Sequence, residues 1–403
     1  MYQQTKSEWL PFAKAASAMV ILTMVLGPCT AAQVPKSAVG GAIRPRGHLE
    51  RTAFYDVATQ MPSAAAGKLI RAERVDEYSL APEESVIRFV YHSRSNTGAD
   101  VPVSAVVVIP PGKAPPSGWP VVAWAHDFQG LARDCAPSLQ ANLVEGSYFS
   151  MYARLGFAVV ASDFSGLGVG TSAPYWSLSA NANDVIYSVQ AAREAAPQLG
   201  KRWAVIGEGD GGVIATGIAE NKLADQDRNY VGSVALGGLF ELPEAALEWE
   251  DHDPGRFLQM TNGIERDVPG FVSSQLLSKD GMKAYQEVAR SCSAVSPSAP
   301  VSGAIATTGW YSNPAFQKYA ADNSLGRVRT QHPMLIITSA TSHSALEKQT
   351  RQTIKRLCAL GDAVLFYTYD SPDAQALVGD SVRDQLSWIR DRFANRAFKT
   401  NCE

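Results

Sequence analysis

The chain has 403 residues, of which 46% are hydrophobic and 19% charged, which is typical of a packed globular protein. This length suffices for one large α/β domain with an insertion, or for two domains. The formal net charge is −3 and the basic residues are scattered, which excludes the electrostatic footprint of a nucleic-acid-binding protein.

The N-terminus predicts export. Lys6 and Lys14 precede the 13-residue, mostly apolar run AASAMVILTMVLG, and small residues follow it in PCTAAQ. This order is typical of a secretory signal with cleavage after Ala32, whereas a membrane anchor needs about 20 apolar residues. We therefore expect residues 1–32 to be removed and the mature chain to be secreted or to lie in the periplasm or cell envelope.

Beyond that segment the chain has an even number of cysteines: Cys135, Cys292, Cys358 and Cys402. In an exported protein, four cysteines predict two disulfides, and three pairings are open. Metal binding is the weaker interpretation, because the spacings are long and no histidine lies at ligand spacing from a cysteine. A cation at the acidic run EWEDHD, residues 248–253, is a further alternative, but we interpret that run as a solvated loop. We expect no metal and no cofactor.

The rest of the sequence alternates strand-like and helix-like segments. After a polar stretch, residues 33–84, strands are predicted at SVIRFVYHS, VPVSAVVVIPPG, WPVVAWAHD and FAVVASDFSGLG, and a helix at NANDVIYSVQAAREAA. Further strands are predicted at RWAVIG, YVGSVALGGL, HPMLIITS and AVLFYTYD, and further helices at GVIATGIAE, ALEKQTRQTIKRLCALG and DSVRDQLSWIRDRFANRAF. This alternation predicts a mostly parallel sheet with helices on both faces.

One long interruption breaks the alternation. Residues 243–330 are loop-rich, with helical patches such as GMKAYQEVARSC and apolar side chains that include Phe257 and Phe271. An insertion of this size, late in the sheet, predicts a cap over the carboxyl ends of the strands. We therefore divide the chain into a core, residues 85–242 and 331–403, and a cap, residues 243–330.

The stretch WAVIGEGDGGVIATGIAE, residues 203–220, joins a predicted strand to a predicted helix and fits two motifs. Its glycines spell G-x-G-x-x-G, the dinucleotide fingerprint, but at least four strands precede it and the next strand ends in glycines instead of an acidic residue. It also resembles the nucleophile elbow G-x-S-x-G of serine hydrolases, with Gly209 at the position of the serine. Gly207, Gly211 and Gly212 supply the small residues around Gly209 that the tight turn of an elbow requires. We favour the elbow and keep the dinucleotide site as an alternative.

Several motifs, in order, resemble the secretory lipases of the α/β-hydrolase fold, the lipase A type, from about residue 55 to the end. VVAWAHDFQGLARDCAPSL resembles their oxyanion segment W-A-H-G-x-x-G with the C-A-P-S that follows, and DFSGLG resembles their D-Y-x-G-L-G loop. GEGDGG aligns with G-H-S-Q-G-G, and WIRDRF with W-L-x-D-R-F. The resemblance implies an α/β-hydrolase fold with an inserted cap, and the disulfides Cys135–Cys292 and Cys358–Cys402.

The positions that the resemblance assigns to catalysis are all changed. The nucleophile, acid and base positions hold Gly209, Ser342 and Ala374. In the oxyanion region, which comprises His126, Asp127 and Asp210, an aspartate replaces the family's glycine after the histidine. We expect the carboxylates of this region to repel the negative charge that develops during ester hydrolysis.

Two hypotheses follow from these changes. Glycine has no side chain for attack, and loss of the serine alone costs a serine hydrolase on the order of 10⁶ in turnover. The first hypothesis is therefore a catalytically inactive binder of lipid or acyl-ester ligands that makes transient contact with a lipid surface. The second is an active lipase or esterase with relocated groups, for which His343 and Asp373 are a conceivable pair and Ser342 or a water the nucleophile. The oligomeric state is left open.

Overall fold

The computed structural model describes residues 47–57, 62–170, 176–292, 304–340, 344–372 and 374–402, without the side chains of residues 344, 345 and 374. All of these belong to one contact unit, Arg44–Glu403. The predicted secretion signal, residues 1–32, and the residues Ser342, His343 and Asp373 lie outside the described residues. No described helix is long and apolar enough to cross a membrane.

Nine strands form one sheet: β1 (Leu69–Arg74), β2 (Ser85–Arg94), β3 (Asp100–Ile109), β4 (Trp119–Ala125), β5 (Ala158–Ser162), β6 (Leu199–Glu208), β7 (Tyr230–Leu236), β8 (Met334–Ser339) and β9 (Val364–Tyr369). Their order in the sheet is β1-β2-β3-β5-β4-β6-β7-β8-β9. The pairs β1–β2, β2–β3 and β3–β5 are antiparallel, and every later pair is parallel. The predicted mostly parallel sheet is confirmed.

The described residues form eleven α-helices: α1 (Gly146–Arg154), α2 (Leu178–Ala195), α3 (Asp210–Glu220), α4 (Lys222–Asp225), α5 (Leu242–His252), α6 (Pro254–Asp267), α7 (Lys279–Val288), α8 (Pro314–Asp322), α9 (Ser344–Leu360), α10 (Ala374–Asp380) and α11 (Val382–Phe393). Apolar residues of α2 and α3 pack on one face of the sheet, and those of α1, α10 and α11 pack on the other. Helices therefore cover both faces, as the alternation predicts.

The central strands are apolar throughout because both of their faces are buried. In β4, Val121 and Ala123 pack toward α2 and α3, whereas Val122 and Trp124 pack toward α1. Successive side chains of a strand point to opposite faces, so a strand covered on both sides has no polar positions. This packing places the carboxyl ends of β4, β6 and β7 side by side, since β6 pairs with both of the others.

Two secondary-structure elements, β1 and α1, were not predicted from the sequence. The sheet begins at Leu69, inside the segment 33–84, because β1 pairs with β2 at the sheet edge. The sequence of β1, LIRAER, carries no strand alternation, since an edge strand leaves much of its surface in water. Helix α1, GSYFSMYAR, is rich in aromatic and small residues, which do not display a clear helical period.

The insertion between β7 and β8 is more helical than the sequence indicates. It contains α5, α6, α7 and α8, of which α7 matches the predicted helical patch. The acidic run at residues 248–253, interpreted from the sequence as a solvated loop, instead forms the end of α5 and its C-cap. That interpretation was wrong because Trp249 is buried on the inner face of the helix and stabilises it against the core.

Both disulfides implied by the resemblance are present. Cys135, in the loop after β4, is bonded to Cys292, just after α7, with 4.9 Å between their Cα atoms. Cys358 of α9 is bonded to Cys402, with 5.5 Å between their Cα atoms. The first disulfide therefore joins the loop after β4 to the insertion, and the second joins the C-terminal segment to α9.

Asp184 makes the stability of this fold depend on pH. It is fully buried in α2, where its carboxyl accepts hydrogen bonds from Ser93 Oγ at 2.5 Å and from the Ser165 N–H at 2.7 Å. Burial raises the pKa of Asp184 to about 7. An unfolded aspartate has a pKa near 3.9, so the folded chain binds the proton more tightly. The free energy of unfolding should therefore fall as the pH rises from about 4 to about 7.

We predict that Asp184→Asn removes this component of the pH dependence. The amide stays neutral at every pH, so the variant does not lose this part of its stability as the pH rises. The free energy of unfolding of the variant, minus that of wild type, should therefore increase by about 2 kcal/mol between pH 5 and pH 8. Urea unfolding at intervals of one pH unit measures this difference. The matched control is Asp251→Asn, on the exposed end of α5, which should leave the profile unchanged. Parallel profiles of wild type and Asp184→Asn would contradict the assignment.

Candidate functional site

Gly209 forms the turn between β6 and α3. It has φ 56° and ψ −122°, and it precedes the first residue of the helix. A Cβ at Gly207 or Gly211 would overlap the backbone of the facing residues, Gly211 and Ala125. Strand and helix therefore pack together through glycines around one residue with positive φ. This is the geometry of a nucleophile elbow, with no side chain at its tip.

The carboxylate of Asp127 fills the space that a serine side chain would occupy at this turn. A Cβ built on Gly209 would lie 2.5 Å from Asp127 Cγ. Asp127 Oδ1 accepts a hydrogen bond of 2.8 Å from the backbone N–H of Asp210. In a nucleophile elbow, the N–H of the residue after the nucleophile is one of the oxyanion donors. The chain's own carboxylate therefore occupies the place of an oxyanion at this donor.

His126 is fixed by its two backbone contacts. Its Nδ1 lies 2.6 Å from the carbonyl oxygen of Asp127, and its Nε2 lies 3.3 Å from that of Asp163. Burial lowers the pKa of His126, which favours the neutral ring. Because each ring nitrogen faces a carbonyl oxygen, the ring orders the oxyanion loop and directs no lone pair at Gly209.

Asp210 forms an ion pair with the insertion. Its Oδ1 lies 3.3 Å from Nη1 of Arg256, near the start of α6, and the side chain of Asp210 is 6% exposed. The guanidinium of Arg256 also lies over the ring of Trp249, 5.6 Å from its centre. This contact joins the first turn of α3 to the insertion directly above the elbow.

Two further acidic residues lie beside Asp127, and we refer to Asp127, Glu145 and Glu208 as the carboxyl cluster. Burial and the charges of Glu145 and Asp127 raise the pKa of Glu208 to about 9. Burial also raises the pKa of Glu145, which shares a hydrogen bond with Glu208. At neutral pH, Glu208 is therefore protonated, because three negative charges cannot be accommodated in so small a buried volume.

Sequence reasoning identified neither Glu145 nor Glu208 as a site residue. Glu145 has no local signal, since it lies in a loop before α1. Glu208 has one: an acidic residue that ends a buried apolar strand, between two glycines, is unusual for a charged side chain. The described residues contain no group of three or more His, Cys, Asp and Glu side chains arranged to hold a metal ion.

A small apolar cavity lies next to the elbow. Its volume is about 40 Å³ and it is lined by His126, Phe128, Gln129, Gly130, Phe164, Leu167, Trp176, Asn181, Asp210 and Ile214. Phe164 and Trp176 both have positive φ values, 66° and 60°. Such conformations are strained in bulky residues and concentrate at functional sites.

The structure places the remaining predicted site residues only in part. Ala374 is the first residue of α10, directly after the loop that follows β9. The carbonyl oxygen of the next residue, Gln375, accepts a hydrogen bond of 3.2 Å from the hydroxyl of Tyr148 in α1. The start of α10 therefore lies against the helix that follows Glu145. Ser342 falls outside the described residues.

No protein-family model matches the sequence, and no curated protein is similar to it in sequence. Solved structures do match its fold. Candida antarctica lipase A in its closed state has a TM-score of 0.71 at 17% identity, over 87% of each chain. The rice cell wall degrading esterase LipA of Xanthomonas oryzae has 0.65 at 18% identity, over 82% of this chain and 99% of its own. A putative hydrolase of Legionella pneumophila has 0.66 at 14%, over 82% and 100%. The chain therefore has the α/β-hydrolase fold of lipases and esterases, as the resemblance implied.

We predict that substitutions at Gly209 and Asp127 have coupled effects on the free energy of unfolding. Gly209→Ser should lower the free energy of unfolding by about 2–4 kcal/mol, because its Cβ overlaps the Asp127 carboxylate and the residue needs positive φ. In an Asp127→Gly background the loss should shrink by at least about 1 kcal/mol, which a double-mutant cycle of urea unfolding measures.

Gly98→Ser is the matched control for this cycle. Gly98 also has positive φ, 83°, but a Cβ there meets no atom within 4 Å. Its substitution therefore reports the cost of the backbone conformation alone and should not couple to Asp127→Gly. Additive losses for Gly209→Ser and Asp127→Gly would show that the carboxylate does not occupy the position of the serine side chain.

Proposed function

We propose that this protein is an exported, catalytically inactive member of the α/β-hydrolase fold that binds lipid or acyl-ester ligands. The observation that carries the proposal is the position of the Asp127 carboxylate. It stands where a nucleophile would stand and accepts the hydrogen bond of the Asp210 N–H. A substrate carbonyl reaches that donor only after Asp127 has moved away.

The chemistry of the surrounding groups supports the absence of turnover. Acyl transfer needs a nucleophile, a base that takes its proton and donors for the oxyanion. Gly209 supplies no nucleophile, and Ala374 stands at the position that the resemblance assigns to the base. A tetrahedral oxyanion beside Gly209 would form against the negative charge of Asp127, which raises its energy.

The cavity supports a ligand with an apolar part. Its lining is mainly aromatic and aliphatic, with Asp210 and Asn181 as polar groups. Sites for small molecules usually measure about 300–1,000 Å³, whereas this cavity measures about 40 Å³. A lipid or an acyl ester therefore enters only when the cavity widens. Asp210, which lines the cavity, is held by Arg256 of the insertion, so opening of this contact favours the wider form.

Export is supported by the two disulfides together with the predicted signal at residues 1–32. Structural disulfides persist in oxidising compartments and are rare in the cytosol. We therefore place the mature protein outside the cytosol, either secreted or in the periplasm or cell envelope, where lipid and ester ligands are accessible to it.

We predict binding without turnover. The purified mature protein should release no p-nitrophenol from short-chain or long-chain p-nitrophenyl esters above the buffer rate, yet bind dodecyl acetate saturably in calorimetry. The double variant Gly209→Ser, Asp127→Gly should also be inactive, because a serine without a base is not activated. Turnover by the wild type would instead favour the second hypothesis, an esterase with relocated groups.

A variant that narrows the cavity tests whether binding occurs there. Ile214→Phe adds volume to the cavity wall and should weaken dodecyl acetate binding at least tenfold. Leu223→Phe, an equally large change at an exposed position of α4, is the matched control and should have no effect. Unchanged binding by Ile214→Phe would place the ligand elsewhere.

We predict that Arg256→Gln opens the insertion more readily. Loss of the guanidinium leaves the buried Asp210 without this ion pair, so the free energy of unfolding should fall by about 1–3 kcal/mol, reduced because Arg256 is 26% exposed. The association rate of dodecyl acetate, followed by stopped-flow tryptophan fluorescence, should rise. Lys283→Gln removes an exposed ion pair with Asp280 and is the matched control. An unchanged association rate would show that this contact does not hold the insertion closed.

A further inference from the structure

One oxygen of the carboxyl cluster lacks a hydrogen-bond donor. Glu208 is 7% exposed, and its Oε2 atom has no hydrogen-bond partner within the described part of the chain. Buried polar atoms are almost always paired, so an unpaired one in a native fold requires an explanation. Whenever Glu208 is ionised this oxygen requires a hydrogen-bond donor, and the other side chains of the cluster, Asp127 and Glu145, are themselves acids.

No basic side chain compensates this acidity. Among the described residues, no ion pair involves a residue of the cluster, and Arg256 is directed to Asp210 instead. The groups that face Glu208 are Glu145, from the loop before α1, and Asp127, from the loop after β4. Tyr148 of α1 and Asp380 of α10 are also close to the cluster. Burial raises the pKa of Tyr148, and the charges of Glu145, Glu208 and Asp380 raise it further.

An aromatic surface and an apolar cavity border the cluster. The ring of Tyr148 stacks on that of Trp124, with 6.3 Å between the ring centres. On the other side, the backbone oxygen of Asp127 contacts His126 and Gln129, which both line the cavity. Carboxylates, an aromatic face and an adjacent apolar cavity are together complementary to a cation with a hydrocarbon chain.

We propose that the carboxyl cluster binds the ammonium head of an amine-bearing amphiphile, whose hydrocarbon chain occupies the cavity when the cavity widens. The ammonium group donates to Glu208 Oε2 and balances the charges of Asp127 and Glu145. A fatty acid is disfavoured at the same place, since the charges of Asp127 and Glu145 repel its carboxylate. This inference rests on the proposed function, to which it adds the class of the ligand head group.

Binding of a cation is coupled to release of a proton. Glu208, with its pKa raised to about 9, is protonated at pH 7 in the free protein. A bound ammonium group favours the ionised carboxylate, so Glu208 loses its proton on binding. The affinity for the cation should therefore increase as the pH rises from 7 toward 9.

The test compares three ligands with the same chain length, namely dodecylammonium, dodecyl acetate and dodecanoate, below their micelle concentrations. Calorimetry at pH 7 in two buffers with different ionisation enthalpies gives both the affinity and the number of protons released. We expect dodecylammonium to bind at least tenfold more tightly than dodecanoate, with release of about one proton. Glu208→Gln should abolish proton release and weaken dodecylammonium about tenfold, while dodecyl acetate binds as before.

Glu244→Gln, which removes the same charge from the exposed side of α5, is the matched control and should change nothing. If Glu208→Gln melts far below the wild type, Glu145→Gln is tested in its place, because Glu145 is less buried. Its preference for dodecylammonium over dodecanoate should then be lower than that of the wild type. Equal or tighter binding of dodecanoate, or unchanged proton release in the variants, overturns this inference alone. Absence of binding by all three ligands overturns the proposed function as well.

Discussion

The carboxylate of Asp127, held between the Cα of Gly209 and the N–H of Asp210, is the contact on which the rest of the site depends. It explains why position 209 is restricted to glycine, because any side chain there would overlap the carboxylate. It also satisfies a donor at the start of α3 that would otherwise be open to a ligand. The absence of a side chain at position 209 and the carboxylate on the facing loop are thus sterically linked.

This contact sets the electrostatics around the elbow. A carboxylate at the start of a helix is stabilised by the backbone N–H groups and the helix dipole. Burial raises the pKa values of the neighbouring Glu145 and Glu208, and the charge of Asp127 adds to this effect. The site is therefore acidic on one side, and on the other its remaining charge, that of Asp210, is balanced by Arg256 of the insertion. A developing oxyanion would be destabilised in these surroundings, whereas a cation would be stabilised.

The insertion contributes to the core as well as to the site. Phe257, Leu258 and Met260 of α6 are fully buried and belong to the same apolar cluster as Val213 of α3. A disulfide holds the end of α7 to the oxyanion loop, so the insertion is attached at two places around the elbow. The Arg256–Asp210 ion pair adds a polar contact between α6 and the first turn of α3, whose Asp210 lines the cavity.

The sequence by itself determined the sheet, most of its strands and the elbow, whereas both disulfide pairings were implied only by the resemblance to secretory lipases. Runs such as WPVVAWA are apolar because both faces of the strand are buried, and the glycines around Gly209 are required by backbone packing. Both requirements leave a pattern of residue types within one short stretch of sequence. Only the tertiary structure decided that Asp127 fills the serine position, that Arg256 pairs with Asp210, and that Glu145 lies beside Glu208. Each of these contacts joins residues from different elements, separated by 46 to 83 positions, and no local period or motif encodes such an approach.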